Sequence, residues 1–181
     1  QTSTAVSSTI NLTAVNDRPV ATAGAVLAYS EQATAAVVDG TITLTDLDDS
    51  HISSASVSIS TGFSVGDSLN FVNQNGISGS YNAATGVLSL SGTATVAQYQ
   101  TALRSVTFSS SSDDPTASST SRTVSWTVTD ANSDSAGAQT STAVSSTINL
   151  TAVNDTPVAT AGAVLAYSEQ ATAAGLEASI T

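Results

Sequence analysis

Apolar and hydroxyl-bearing residues alternate along several short stretches of the chain. The clearest stretches are residues 41–45, 55–59, 124–129 and 147–152. A period of two places the apolar side chains on one face and the serines and threonines on the other. This is the pattern of antiparallel strands with one wet face. We therefore predict a strand at each of these stretches.

Two further local signals complete the predicted layout. Residues 78–92 indicate a hairpin that turns between Asn82 and Gly86. Thr95 and Gln98 have the spacing of a capping box, and apolar residues then recur at helical spacing over 96–106. About eight short strands separated by turn signals predict an all-β fold, an antiparallel Greek-key β-sandwich with one short crossover helix.

A long internal repeat sets the domain organisation. Residues 1–36 return at 139–174 with a single change, from Arg18 to Thr156, so the offset is that of a whole domain rather than of a solenoid repeat. We predict one complete repeat at 18–155. Residues 1–17 would then be the last strand and linker of the preceding repeat, and residues 156–181 the start of the following one.

The same repeat places two identical strand segments in one chain. Residues 1–17 and 139–155 have the same sequence, yet the sandwich has one position for that strand. We expect the trailing copy to fill it, because the preceding loop delivers it beside its partner. The leading copy should then be extended, or should dock on a neighbouring molecule.

Charge and composition narrow the function. The net charge of −11, with 14 acidic residues against three basic ones, argues against nucleic acid and against an anionic membrane surface. Cysteine is absent and His51 is the single histidine, which excludes disulfides and thiolate sites and leaves little for acid–base catalysis. No apolar run approaches the roughly 18–20 residues that membrane insertion requires.

Oxygen-bearing side chains gather at the ends of the predicted strands. Others stand just before the proline at the repeat junction and about a dozen residues after that junction. Hard divalent cations such as Ca²⁺ take six to eight oxygen ligands from carboxylates, amides and carbonyls. These side chains are therefore candidate metal ligands, although Asp, Asn and Ser also favour turns for conformational reasons alone. The candidates are Asn16, Asp17, Glu31, Asp46, Asp48, Asp49, Asp130, Asn132, Asp134, Asn154, Asp155 and Glu169.

Two familiar site motifs do not fit. The 46–51 loop is not an EF-hand, because it lacks the glycine at the sixth position and has Val57 where the closing Glu should stand. Residues 62–66 match G-x-S-x-G around Ser64, but a nucleophile elbow needs an α/β sheet, so a turn is the better interpretation. We expect no enzymatic activity.

The order of elements resembles the cadherin-like tandem repeats in the extender regions of giant RTX-type bacterial adhesins. The motifs that carry the resemblance are AVNDRPV, YSEQ, TLTDLDDSHISSASVSI, GVLSLSG, YQTALRSVTF, VSWTVTDANSD and AVNDTPV. They cover essentially the whole 138-residue unit, from one repeat junction to the next. The linker reads VNDRP or VNDTP rather than a full D-x-N-D-N.

The resemblance implies an immunoglobulin- or cadherin-like sandwich with calcium at the junctions between successive domains. It assigns one junction to Asp17, Asp46, Asp48 and Asp130, and the next to Glu31 and Asp155. It also implies a spacer in a secreted protein of the bacterial cell surface, whose partners are the adjacent repeats and whose adhesion or biofilm ligand is bound by other domains. The alternative is a sandwich module that itself binds a carbohydrate or a protein.

Overall fold

The regular structure of the protein consists of strands and one short helix. The computed structural model describes residues 1–133 and 135–162. The strands in these residues are β1 (Val20–Thr22), β2 (Val26–Ser30), β3 (Ala36–Val37), β4 (Thr43–Thr45), β5 (His51–Thr61), β6 (Asp67–Asn70), β7 (Ser78–Asn82), β8 (Val87–Thr95), β9 (Thr107–Ser110), β10 (Ser121–Asp130) and β11 (Val144–Thr151). The helix α1 (Val96–Arg104) lies between β8 and β9.

These strands form one large sheet and two small ones. The large sheet has the order β2-β11-β10-β5-β8-β7, and the small sheets have the orders β3-β9-β6 and β1-β4. The all-β sandwich is confirmed. One pairing departs from the predicted antiparallel pattern, because β2 lies parallel to β11. These two strands are far apart in sequence, so no tight turn forces them to run in opposite directions.

The core contains the apolar side chains that the alternation marked. Val57, Trp126 and Ile148 are buried, and each belongs to a different strand of the large sheet. The predicted fourth stretch extends one residue too far, since β11 ends at Thr151 and Ala152 is exposed.

The predicted hairpin and helix both form. Strands β7 and β8 pair across the turn that follows Asn82. The Thr95 hydroxyl accepts a hydrogen bond from the Gln98 backbone, and the Gln98 side chain accepts one from the Thr95 backbone, which completes the capping box. Helix α1 connects the large sheet to a small sheet and buries Tyr99 and Leu103. Among the described residues, no helix has the length and apolar character needed to cross a bilayer.

The two identical segments have different structures. The trailing copy supplies β11, in which Ile148 is 0% and Leu150 is 7% exposed. Residues 1–15 form no helix or strand, and their counterparts Ile10 and Leu12 are 83% and 91% exposed. The copy in the sandwich is therefore the one that the sequence analysis expected there.

The buried carboxylate of Asp39, between β3 and β4, joins the loop between β1 and β2 to strand β11 of the large sheet. Asp39 is buried and accepts hydrogen bonds from the backbone N–H groups of Gly24 and Ala25, both at 3.0 Å. The hydroxyls of Thr41 and Ser146 also donate to it, both at 2.7 Å. These donors outweigh the cost of burying its charge.

Candidate metal sites at the two poles

The candidate ligands that the structure describes fall at opposite ends of the sandwich. We call the end where β5 begins and β10 finishes the N-terminal pole, and the end where β2 and β11 finish the C-terminal pole. The eleven residues of β5 separate the two poles by roughly 35 Å, at about 3.3 Å per residue. The part of the chain that the structure describes therefore has two separate groups of acidic side chains, one at each pole.

At the N-terminal pole, Asp130 holds the leading segment against the end of β10. Its side chain is fully buried. Asn16 donates through Nδ2 to Asp130 Oδ2 at 3.0 Å and to the carbonyl of Gly137 at 2.5 Å. The backbone N–H groups of Asn132 and Gln139 also donate to the Asp130 carboxylate, at 3.1 and 2.8 Å. Asp130 thus joins a residue 114 positions away to the loop that follows its own strand.

The loop after β4 contributes three more carboxylates to this pole. The backbone N–H groups of Asp48 and Asp49 donate to Asp46 Oδ1, which closes a local turn. Asp48 Oδ2 accepts the Asp17 N–H at 2.8 Å. Asp49 Oδ1 accepts both the backbone N–H and the hydroxyl of Ser133. The linker, the 46–49 loop and the loop after β10 therefore meet at one place.

Three buried oxygens at this pole have no hydrogen-bond partner. They are Asn16 Oδ1, Asp46 Oδ2 and Asp49 Oδ2. Buried polar atoms in folded proteins are nearly always paired, so each exception needs a physical explanation. Oxygens of this kind are the ligands that a calcium ion takes.

The electrostatics of the pole also favour a cation. Burial, and then the neighbouring Asp48 carboxylate, raise the pKa of Asp46 above its ordinary value. The Asp17 N–H lowers the pKa of Asp48. Within the described residues the sole ion pair joins Arg122 to Asp67, so the carboxylates of this pole form no salt bridge. A divalent cation would replace the repulsion among them with attraction.

At the C-terminal pole, Glu31 is the central residue. It is 4% exposed, and its Oε2 accepts the Val153 N–H at 2.7 Å while its Oε1 has no partner. Gln32 donates to Asp155 Oδ1 at 2.5 Å. This pole therefore repeats the main feature of the other one, a buried carboxylate oxygen without a donor beside acidic residues.

An open cleft of about 590 Å³ lies next to Glu31. Asn154 and Asp155 line it, together with Asp113 and Asp114, which sequence reasoning missed. The sequence did contain a signal for this pair, because the two aspartates come shortly after strand β9, just as the other acidic groups come shortly after a strand. The flanking serines and Pro115 gave the segment the composition of an ordinary turn.

The six residues that the resemblance divided between two junctions lie at the two poles in that division, with Asp17, Asp46, Asp48 and Asp130 at one pole and Glu31 and Asp155 at the other. Among the other candidates, Asn132 accepts the Gly137 N–H through its Oδ1 at 2.6 Å and closes the loop. Asp134 and Glu169 lie outside the described residues. Within those residues no three His, Asp or Glu side chains converge into a ready-made metal centre. The fit to a cation rests instead on the unpaired oxygens, and the metal role of these residues stays a prediction.

The catalytic alternative finds no matching geometry. His51 begins β5, whereas Ser64 follows the far end of that strand. The His51 ring contacts the Ser50 hydroxyl at 2.8 Å, and the Ser64 N–H donates to Asp67. The serine and the histidine therefore do not form a nucleophile–base pair.

Comparison with known proteins found a similarity over part of the chain. The chain is 43% identical over 83 residues to Halomucin of Haloquadratum walsbyi. The match covers 42% of this chain and 1% of Halomucin. No protein-family model matches the chain. No solved structure matches it either.

Proposed function

We propose that the chain is a calcium-binding spacer repeat of a very large surface protein. The observation that supports this most directly is that, of the five buried side-chain oxygens without a partner among the described residues, four belong to Asn16, Glu31, Asp46 and Asp49, while the fifth is on Asp67, whose carboxylate pairs with Arg122. The first four lie at the ends of the sandwich, where one repeat would adjoin the next. Oxygen-only ligand sets with several carboxylates suit Ca²⁺ rather than zinc or copper.

The residues that would hold calcium come from separate loops. At the N-terminal pole they are Asn16 and Asp17 of the linker with Asp46, Asp48 and Asp49. At the C-terminal pole Glu31 would be joined by Asp155, Asn154 and the acidic pair that follows β9. When bound, the ion supplies positive charge that draws these carboxylates together. It would thereby couple the linker to the domain and limit bending at the joint.

The similarity to a segment of Halomucin supports placement in a large surface protein. In such a protein, tandem repeats of this kind would project a ligand-binding region away from the cell. That arrangement would serve adhesion or biofilm formation at the bacterial surface. The module itself would then be non-enzymatic and extracellular, and its partners would be the neighbouring repeats.

A carbohydrate- or protein-binding role has less support from the described residues. Binding platforms for sugars usually present exposed aromatic rings. Tyr29, Tyr99 and Trp126 are all buried in the core. Four of the eight residues that line the polar cleft at the C-terminal pole are acidic, which suits a cation better than a neutral sugar.

Calcium titration followed by calorimetry tests the proposal. Extracellular calcium sites commonly have dissociation constants of about 10⁻⁴–10⁻³ M. With a constant of about 10⁻⁴ M, calcium at about 1 mM adds about 1.4 kcal/mol of stability per site, so the melting temperature should rise by several degrees. Magnesium at the same concentration should have a smaller effect, because it dehydrates reluctantly.

Variants of the two poles serve as controls for each other. Asp46→Asn combined with Asp49→Asn should remove calcium binding at the N-terminal pole and leave the other pole intact, and Glu31→Gln should do the reverse. Isothermal titration calorimetry would count the sites that remain. A melting curve that is the same in chelator and in about 1 mM calcium would contradict the proposal.

A further inference from the structure

A buried ion pair joins the large sheet to the sheet β3-β9-β6 near the C-terminal pole. Arg122 is the second residue of β10 and lies opposite Ile148, close to the end of β11, while Asp67 begins β6. Arg122 Nε donates to Asp67 Oδ2 at 2.6 Å, and both side chains are fully buried. The desolvation of two buried charges can exceed their mutual attraction, so such a pair is weak evidence for stability. Its other hydrogen bonds indicate a different role.

The guanidinium of Arg122 divides its hydrogen bonds between Asp67 and a loop. Arginine and a carboxylate frequently bind through two parallel hydrogen bonds, one to each oxygen. Here Arg122 gives Asp67 one donor, and Asp67 Oδ1 is buried without a partner. Nη2 donates to the Pro115 carbonyl at 2.7 Å, and Nη1 donates to the Ser119 carbonyl at 2.9 Å. The guanidinium therefore holds the loop that connects β9 to β10 in preference to a second bond with Asp67.

The same loop carries the two aspartates that line the C-terminal cleft. Asp113 and Asp114 lie beside Glu31 there, and we call these two aspartates the acidic pair. Pro115 is buried and follows them directly, so the carbonyl that the guanidinium holds belongs to the residue next to the acidic pair. Asp114 also accepts hydrogen bonds from the N–H and the hydroxyl of Thr116, at 3.2 and 3.0 Å, which closes a turn on this side.

The other side of the acidic pair is also fixed next to the ion pair. The Ser111 N–H donates to the carbonyl of Gly66, the residue before Asp67, at 3.0 Å. Residues 111–120 form no helix or strand, so hydrogen bonds of this kind set the course of the loop. We propose that Arg122 and Asp67 are positioning residues, which hold the acidic pair in place as ligands of the C-terminal calcium site. This inference rests on the proposed calcium function of that pole.

A loop that is already held in place favours binding of the ion. Without the guanidinium, calcium would have to order the loop as it binds, and that ordering would lower the affinity. Residues that orient metal ligands without touching the metal contribute about 10–100-fold to affinity. The loss should be confined to the C-terminal pole, because the ligands of the N-terminal pole come from other loops at the opposite end of the sandwich.

An NMR titration of the full 181-residue chain with calcium chloride measures both poles in one sample. The Val153 amide, which donates to Glu31, reports the C-terminal pole, and the Ser133 amide, which donates to Asp49, reports the N-terminal pole. Arg122→Lys keeps the positive charge of the ion pair but lacks the planar fork that reaches the loop carbonyls. It should raise the dissociation constant at the Val153 amide about tenfold and leave the constant at the Ser133 amide unchanged.

Two further variants separate positioning from folding. Arg104→Lys is the matched control, because Arg104 Nε donates to the Ile42 carbonyl before β4, in another part of the fold, and neither dissociation constant should change. Asp67→Asn with Arg122→Met removes both charges, so no unpaired charge is left in the core. It should weaken the C-terminal site to a similar extent as Arg122→Lys.

A third comparison tests whether the ion pair acts through the acidic pair. Asp113→Asn with Asp114→Asn should weaken the same site, and adding Arg122→Lys to that variant should cause little further loss. Losses that multiply would overturn the proposal, because the ion pair would then act by another route.

The remaining outcomes distinguish this inference from the proposed function. If calcium does not shift the Val153 amide of the wild type, the calcium function of this pole fails and the inference fails with it. If the wild type binds calcium there and both ion-pair variants bind it equally tightly, only the inference fails. It is also overturned if affinity falls equally at both poles, or if neither ion-pair variant folds in chelator, since the pair would then serve folding rather than positioning.

Discussion

Asp39 shows how much a single residue contributes to joining the two sides of this sandwich. Trp126 donates through Nε1 to the Ser146 hydroxyl at 3.0 Å, and that hydroxyl donates to Asp39 Oδ2. The carboxylate thus connects the loop before β4 to two strands of the large sheet. The buried Ser146 hydroxyl would lose its acceptor if the carboxylate were removed.

The pKa of Asp39 makes this role measurable. Burial by itself raises the pKa, but hydrogen bonds from Thr41, Ser146, Ala25 and Gly24 outweigh burial and hold the pKa well below its ordinary value of 3.8. A carboxyl group with a depressed pKa contributes stability above its unfolded pKa, and that stability is lost as the pH falls towards its folded pKa.

Asp39→Asn should therefore destabilise the protein by about 2–3 kcal/mol at pH 7, because charge-assisted hydrogen bonds become neutral or are lost. Between about pH 4 and pH 2 the free energy of unfolding should fall less steeply for the variant than for the wild type. Urea unfolding at a series of pH values measures both. Parallel pH profiles for the two proteins would show that Asp39 does not titrate with folding.

At the scale of elements, helix α1 depends on its first turn. It has only nine residues, which is too short for a stable isolated helix. The reciprocal bonds of Thr95 and Gln98 satisfy two N-terminal N–H groups, while burial of Tyr99 and Leu103 fixes the helix on the sheets. Capping and packing together position the chain as it crosses from β8 to β9.

Thr95→Ala should lower the free energy of unfolding by about 1 kcal/mol, since it removes the cap. Thr101→Ala provides the matched control within the same helix. Thr101 is exposed, and its hydroxyl donates only to the Ala97 carbonyl one turn earlier, so its replacement should change stability by less than about 0.5 kcal/mol. Equal losses in the two variants, measured by chemical denaturation, would rule out a special role for the cap.

At the scale of the whole molecule, the two poles bring together ligands that are distant in the chain. Asp49 meets Ser133 across 84 positions, and Glu31 meets Val153 across 122. A cation bound at a pole would therefore join the linker to loops that follow strands of different sheets. We expect it to set the angle between adjacent repeats as well as their stability.

A protein with two successive repeats should accordingly be longer in calcium than in chelator. Unpaired acidic charges repel at the joint, and domains joined by a short linker with little shared interface move relative to each other. Small-angle X-ray scattering would measure the maximum dimension in both conditions. Asp17→Ala with Asp155→Ala should remove most of the difference. Equal dimensions alongside calcium binding would mean that the ions stabilise single domains only.

The amino-acid pattern was sufficient for six of the eleven described strands, including the hairpin, and for the capped helix and the choice of fold class. These features depend on residues two to four positions apart in sequence. They can therefore be read from local patterns, such as the alternation that includes Val57 and Trp126. The motifs also grouped the acidic residues at the ends of strands. The resemblance to tandem repeats assigned six of those residues to two groups, and the fold places the two groups at opposite poles, while their role at junctions between repeats stays a prediction.

Only the folded chain decided which charged groups are buried and what each one contacts. Arg122 is charged, yet it occupies a position on the buried face of β10. The fold tolerates it there because its Nε donates to the Asp67 carboxylate at 2.6 Å. Asp113 and Asp114 had the composition of a turn until the fold placed them beside Glu31. The parallel pairing of β2 with β11 was equally invisible in the pattern. Such contacts join residues far apart in sequence, so their geometry depends on register and packing rather than on local periodicity.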